Sequence, residues 1–288
     1  MKKKIIIGTA NFVKGYGINN SKGLNLEQIN NLNKFTSKNF IKEIDTAFSY
    51  KGVEKLIGKS KFKNYKIYTK IPEIKLSQFH KKFVSRIVNK SLQRLGKRKL
   101  YGVFFHGAKN LMSIKGDKFY KDLLIFKKRR IIKKIGVSVY SPTELKSVIK
   151  KYKFDMVQIP INIFDRRFLK KNFLKKIKDK SIEIHARSVF MQGILLQNNN
   201  NRNNFFKNWK KLFLKWDNWN NNCQSKKVET CLNFFKNLKY IDKLVVGVSS
   251  IQEIQEIINV LKNNKKSFPR KIFSYSKKLL EPRLWIKN

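Results

Sequence analysis

Short apolar or β-branched runs alternate along this chain with stretches in which apolar residues recur every three or four positions. The first pattern is that of strands, the second that of amphipathic helices. Eight runs read as strands: 3–8, 40–47, 66–71, 100–106, 133–140, 154–161, 181–188 and 242–249. Between them, 24–38 sets Leu26, Ile29 and Leu32 on one helical face. The stretch 77–95 does the same with Phe79, Phe83, Ile87, Leu92 and Leu95. Pro142 with Glu144, and Ser250 with Glu253 and Glu256, are helix starts: a fixed φ or a capping hydroxyl, then acids in the first turn. Eight strands alternating with helices over 288 residues fit a closed parallel (β/α)8 TIM barrel better than an open sheet. No linker interrupts the order, so 1–288 is expected to be one domain.

One insertion departs from the alternation, between strand 7 and its helix. FFKNWKKLFLKWDNW (205–219) carries Phe205, Trp209, Leu212, Trp216 and Trp219 at steps of four, three, four and three. That is one apolar stripe on an extra helix. It suits packing on the barrel; a basic face beside tryptophans also suits an anionic lipid surface.

Composition changes the picture in one respect. Lys and Arg number 66 against 18 Asp and Glu, a formal charge of +48. The lysines are spread over nearly every segment rather than gathered on a stripe, and Asn, Ile and Phe are abundant too. An A/T-rich coding bias produces that mixture; selection for phosphate binding does not. We therefore expect weak, salt-sensitive attraction of polyanions and no specific nucleic-acid partner. Apolar residues at 41% are enough for a real core. MKKKIIIGTA has too short an apolar run for a signal peptide, and no run reaches the ~18 residues of a membrane span. The two cysteines, Cys223 and Cys231, make no disulfide framework and have no metal-ligand cluster around them, so a cytoplasmic protein without a metal site is expected.

A barrel of this kind does its chemistry at the C-terminal ends of its strands. Asp45 ends strand 2 and Tyr50 follows in the next loop; Lys70 ends strand 3 and His106 strand 4. Strands 5 to 7 bring Ser138, Gln158, Asn162, His185, Arg187 and Ser188, with His185 read as a packed residue. Asp45 can compensate a buried Lys70 ammonium, and that ammonium would lower the pKa of Tyr50 towards general-acid range. His106 can hold a carbonyl oxygen by hydrogen bond. Each residue alone reads as structural; their convergence on one mouth is what points to catalysis.

These residues lie in blocks that resemble the aldo-keto reductase family of bacterial NAD(P)-dependent oxidoreductases. EIDTAFSYKGVEKLIGK (43–59), YTKIP (68–72), SLQRLGKRKLYGVFFH (91–106), KKIGVSVYS (133–141), MVQIPINIFDRR (156–167), IHARSVFMQGILL (184–196) and VVGVSSIQEIQEI (245–257) occur in the family's order. The resemblance implies reduction of an aldehyde or ketone, a sugar carbonyl among the candidates. It implies a tetrad of Asp45, Tyr50, Lys70 and His106, with Tyr50 as proton donor. It implies NADP or NAD, NADPH slightly preferred, held by Thr9 of GTANF (8–12) and by Ser138, Gln158, Arg187, Ser188, Gly247 and Ser249. Phe12, Phe48 and Phe164 are expected to wall the substrate pocket.

Three positions depart from the family pattern. Val139 follows Ser138 where Asn is usual, so one carboxamide contact is missing or comes from Asn162. Arg187 stands where many members stack a tyrosine on the nicotinamide. Ser249, Ser250, Gln252 and Glu253 stand where many members carry a base for the 2′-phosphate. A catalytically weak barrel that senses or binds the cofactor is the alternative these departures allow.

Overall fold

A computed structural model describes residues 4–18, 21–263 and 267–285. Lys3, expected to open strand 1, lies outside the described residues, as do the two ends of the expected 1–288 domain. Eight parallel strands close into a barrel in sequence order: β1 (Lys4–Gly8), β2 (Glu43–Asp45), β3 (Lys66–Ile71), β4 (Leu100–Phe105), β5 (Ile132–Ser138), β6 (Met156–Pro160), β7 (Glu183–Arg187) and β8 (Lys243–Gly247). β8 returns to β1 through the register Lys4↔Lys243 to Gly8↔Gly247. Every expected strand is present, but several are shorter than the apolar run. Strand 2 does not begin at Phe40, which is exposed and holds a left-handed φ of 58°, a conformation no strand accommodates.

Around the barrel run α1 (Leu26–Lys38), α2 (Val53–Lys59), α3 (Phe83–Leu95), α4 (Gly116–Lys128), α5 (Pro142–Lys151), α6 (Phe173–Lys178), α7 (Lys210–Asn222), α8 (Lys227–Lys236) and α9 (Ile251–Lys262), with a short α10 (Lys277–Leu280) near the C-terminus. The Asn25–Gln28 capping box opens α1, and the hydroxyls of Ser141 and Ser250 accept from Glu144 N and Glu253 N to open α5 and α9. Outward strand residues such as Ile7, Ile44, Ile67, Val103, Val157 and Ile184 are buried under these helices.

α7 is the extra helix, and it packs on the barrel. Trp216 is fully buried and donates Nε1–H to Leu195 O at 2.9 Å, and Phe213 and Trp216 both lie against Phe164. Of the expected stripe, Trp216 is fully buried and Phe205, Trp209 and Leu212 pack half-buried against the core, while Phe206, Phe213 and Asn220 complete the buried face because 204–209 is a tight 3₁₀ turn and the α-helical phase begins only at Lys210.

Alternate residues of each strand face the barrel axis and stack in layers. At the N-terminal end, Lys243 bridges Glu43 at 2.5 Å and Glu183 at 3.2 Å, while Lys134 and His185 close on Glu183 at 2.5 and 2.6 Å. Above lie Ile6, Tyr68, Phe104, Met156 and Val245, with the His185 ring edge-on to Tyr68 and Phe104. His185 is thus a packed residue, as expected. Gly136 makes room for this layer: a Cβ there would come within 2.5 Å of the Phe104 ring. Gly136→Ala should therefore overpack the barrel and destabilise it by about 1–3 kcal/mol, read as a lower urea midpoint, with Phe104→Leu in the same chain restoring part of the loss.

Candidate active site

The next inward layer is the C-terminal mouth. β2 ends on Asp45, β3 carries Lys70, His106 directly follows β4, β5 ends on Ser138, β6 carries Gln158 and β7 ends on Arg187. Strand parity turns all of these side chains towards the barrel axis at its C-terminal end. Asp45 is its centre. One carboxylate oxygen takes the Lys70 ammonium and the other accepts from Gln158 Nε2 at 2.7 Å, across the barrel from β6. Lys70 also donates to Thr46 O at 2.9 Å, and both members of the ion pair are buried.

Tyr50 is delivered from the loop after β2 by a tight turn, its N–H donating to Ala47 O at 3.0 Å and its carbonyl accepting from Val53 N at 3.1 Å. Its ring lies over the Lys70 ammonium (5.5 Å) and edge-on to both Tyr16 (5.8 Å) and His106 (6.0 Å). His106 Nδ1 lies 3.2 Å from the Ser49 hydroxyl.

All of these groups open on one cavity of about 810 Å³. Asp45, Tyr50, Lys70, His106, Thr9, Ser138, Gln158, Arg187, Ser188, Gly247 and Ser249 all line it. Phe12, Phe48 and Phe164 do not, which corrects the expected pocket walls. Phe12 packs into the core against Phe62, Phe48 stacks under the Arg94 guanidinium, and Phe164 turns to α7. Asn162 is not a free donor either: its Oδ1 accepts from Phe164 N and Asp165 N, and its Nδ2 donates to Ser188 O. Thr9 contributes structure, donating its hydroxyl to Asp45 O at 3.0 Å. The aromatic walls are instead Tyr16, Tyr140 and Phe190. Tyr140 could have been read from the period of two that carries Ser138; Tyr16 sits in a loop with no periodic signal.

Burial decides the electrostatics. It pushes the Tyr50 phenol well above its ordinary value, and the Asp45 charge adds to that, while Arg187 works against both. The expected lowering by Lys70 is therefore corrected: desolvation of the phenolate outweighs the nearby cations. Burial, then Lys70 and Arg187, push His106 down to about 3. His106 is thus a neutral imidazole at any working pH. Between about pH 6.5 and its folded value, the unfolded chain binds a proton at His106 that the folded chain refuses, so this contribution to stability is lost as pH falls through that window. His106→Gln should flatten the fall in urea midpoint between about pH 6.5 and pH 4 relative to wild type.

A model of the aldo/keto reductase family matches residues 4–272. Among solved structures the chain is similar to aldo-keto reductase AKR11C1 from Bacillus halodurans in its holo form, at 16% identity over 93% of this chain and 94% of that one, with a TM-score of 0.70. It is also similar to the thermostable aldo-keto reductase Tm1743 in complex with the inhibitor epalrestat, at 17% identity, 96% and 92% coverage and a TM-score of 0.66. No curated protein matches the sequence. At such identities the structural likeness speaks for the fold, while the family match runs from β1 past the last barrel helix; the chain belongs to the aldo/keto reductase family.

Proposed function

We propose that this chain reduces an aldehyde or ketone with NADPH or NADH, Tyr50 supplying the proton. The observation that carries this reading is the meeting of Tyr50 and His106 in one cavity above the buried Asp45–Lys70 pair. The residues present fit a nicotinamide carboxamide. Ser138 and Gln158 are register partners on β5 and β6 and both face the cavity. Gln158 gives an amide N–H to Asp45, and both Gln158 and Ser138 line the cavity, where Oε1 can accept and the hydroxyl can donate. One acceptor and one donor match the amide and the carbonyl of a carboxamide. When bound, the cofactor supplies the hydride.

In the tautomer in which the Ser49 hydroxyl donates to His106 Nδ1, Nε2–H is free to hold the substrate oxygen, and the neutral ring does so without giving up its proton. Tyr50 then protonates that oxygen. A phenol with a raised pKa is a weak acid at rest, but an alkoxide is a stronger base than a phenolate, so transfer runs downhill once charge has developed on the oxygen. The same raised pKa keeps Tyr50 protonated through neutral and mildly alkaline pH. The Asp45–Lys70 pair fixes a cation beneath the ring, ready to stabilise the phenolate left behind.

Tyr50→Phe keeps the ring and its packing but removes the proton. Single-turnover reduction should fall by roughly 10²–10⁴ while NADPH affinity is unchanged. Wild-type reduction should stay level to about pH 9. Near-normal reduction by the variant would show that another group is the acid.

Ser249 donates both its N–H (2.6 Å) and its hydroxyl (2.9 Å) to the Glu253 carboxylate, and Glu256 lines the same end of the cavity. A 2′-phosphate there would have to displace one acid and face another. Discrimination between NADPH and NADH should therefore stay under about a hundredfold, about 2.7 kcal/mol. Glu253→Ala should shift the ratio of their dissociation constants towards NADPH, measured by fluorescence titration at two salt concentrations.

A further inference from the structure

Arg187 is a cation in the reaction cavity, and among the described residues it makes no salt bridge to a carboxylate. Its guanidinium leaves the end of β7, passes over β6 and lies on the Tyr140 ring, 4.4 Å from its centroid. Nη2 donates to Val139 O at 3.2 Å and Nη1 to the Ser188 hydroxyl at 3.1 Å. A guanidinium has five N–H donors, and among the described residues only these two are used. The carboxylates nearby are engaged elsewhere. Asp45 holds Lys70, Asp165 holds Arg167, Glu281 holds Arg167 and Arg283, and Glu144 holds Arg283. Arg283 packs on Tyr140 as well, 4.2 Å from its centroid, which pins the ring that carries Arg187.

The direction in which Arg187 reaches rules out the β8 end of the cavity and leaves it beside Ser138 and Gln158 and the groups around the reacting oxygen. It leans towards β5, away from β8, where Gly247 and Ser249 line the far end of the cavity. Its charge is felt by Tyr16, Tyr50 and His106, the groups around the reacting oxygen, and by Asp165, whose carboxylate is itself bound to Arg167. A planar fork with free donors, half-buried beside those groups, is a receptor for a carboxylate. We propose that Arg187 binds a negatively charged group on the substrate, so that the preferred substrate is an aldehyde or ketone bearing a carboxylate. This rests on the reductase reading above, and it moves Arg187 from the cofactor's contacts to the substrate's.

The test compares 4-carboxybenzaldehyde with its neutral methyl ester in the wild type, Arg187→Met and Arg187→Lys. Reduction is measured as kcat and KM, and equilibrium binding of each aldehyde and of NADPH by calorimetry. The wild type should prefer the acid. Arg187→Met should raise KM and Kd for the acid by about tenfold or more, leaving the ester and NADPH unchanged, and Arg187→Lys should recover part of the preference. Equal losses for acid and ester, or weaker NADPH binding, would assign Arg187 to the cofactor and overturn the proposal. An acid preference that persists in Arg187→Met and disappears in about 0.5 M salt would assign it to the general positive field, and overturn it as well. If neither aldehyde is reduced, the reductase reading fails, and the binding arm alone decides whether Arg187 selects the carboxylate.

Discussion

The scarcity of acids governs this molecule. With 18 carboxylates for 66 Lys and Arg side chains, a basic group taken out of water cannot count on finding a counter-charge. The acids stand where the fold needs them. Asp45 compensates Lys70 inside the mouth; Glu43 and Glu183 compensate Lys243 at the other end of the barrel. Glu54, itself buried, takes the Thr69 hydroxyl and Arg94, and Asp217 holds Arg202 and Lys227 beside α7. Asp155 and Asp242 each combine a lysine with a strand N–H, from Ile135 and Ile184. The remaining basic side chains are mostly on the surface, where water solvates them. Losing Asp45, Glu43 or Asp217 would strand a buried cation, Lys70, Lys243 or Arg202, whereas Lys127 and Lys178 keep partial access to water.

Within that constraint, strand parity does the positioning. Asp45, Lys70, His106, Ser138, Gln158 and Arg187 share a phase with the layer of Tyr68, Phe104, Met156 and Val245 beneath them. This is why so much of the site was legible in the chain: a period of two at a strand's C-terminal end gives a side chain's direction without any knowledge of its neighbours. Phe12, Phe48 and Phe164 were not legible for the complementary reason. They lie in loops after strands, where direction is set by local hydrogen bonds, such as the turn that Asn162 Oδ1 holds at Phe164 and Asp165. With 23 phenylalanines in the chain, aromatic character near the mouth carries little information. Strand ends were overrun for a similar reason. Ser181 and Ser188 hold left-handed φ values of 58° and 59° that bound β7, and no apolar pattern reports a positive φ on serine.

Burial also corrects a simple picture of the tyrosine. A cation beneath a phenol lowers its pKa only if the phenolate is solvated well enough to exist. Here the ring sits between Tyr16 and His106, and the desolvation cost, reinforced by the Asp45 charge, wins. The site therefore does not store a strong acid. It stores a neutral phenol and a neutral imidazole whose proton affinities differ widely; in the proposed reaction the charge developing on the substrate oxygen is what would draw the phenol's proton.

The cavity is polarised against the character of the whole chain. At the β8 end, Glu253 and Glu256 face inwards; at the β7–β5 side, Arg187 does, with Lys70 neutralised below it. In a protein of net charge +48 the outer field draws any anion towards the surface without regard to identity. Selectivity must then come from inside, where salt screens less and geometry counts. Two acids at one end and a forked cation at the other supply that contrast: with Arg187 serving the substrate as proposed, they would set the orientation in which a charged molecule lies across the mouth, which a uniformly basic pocket could not do.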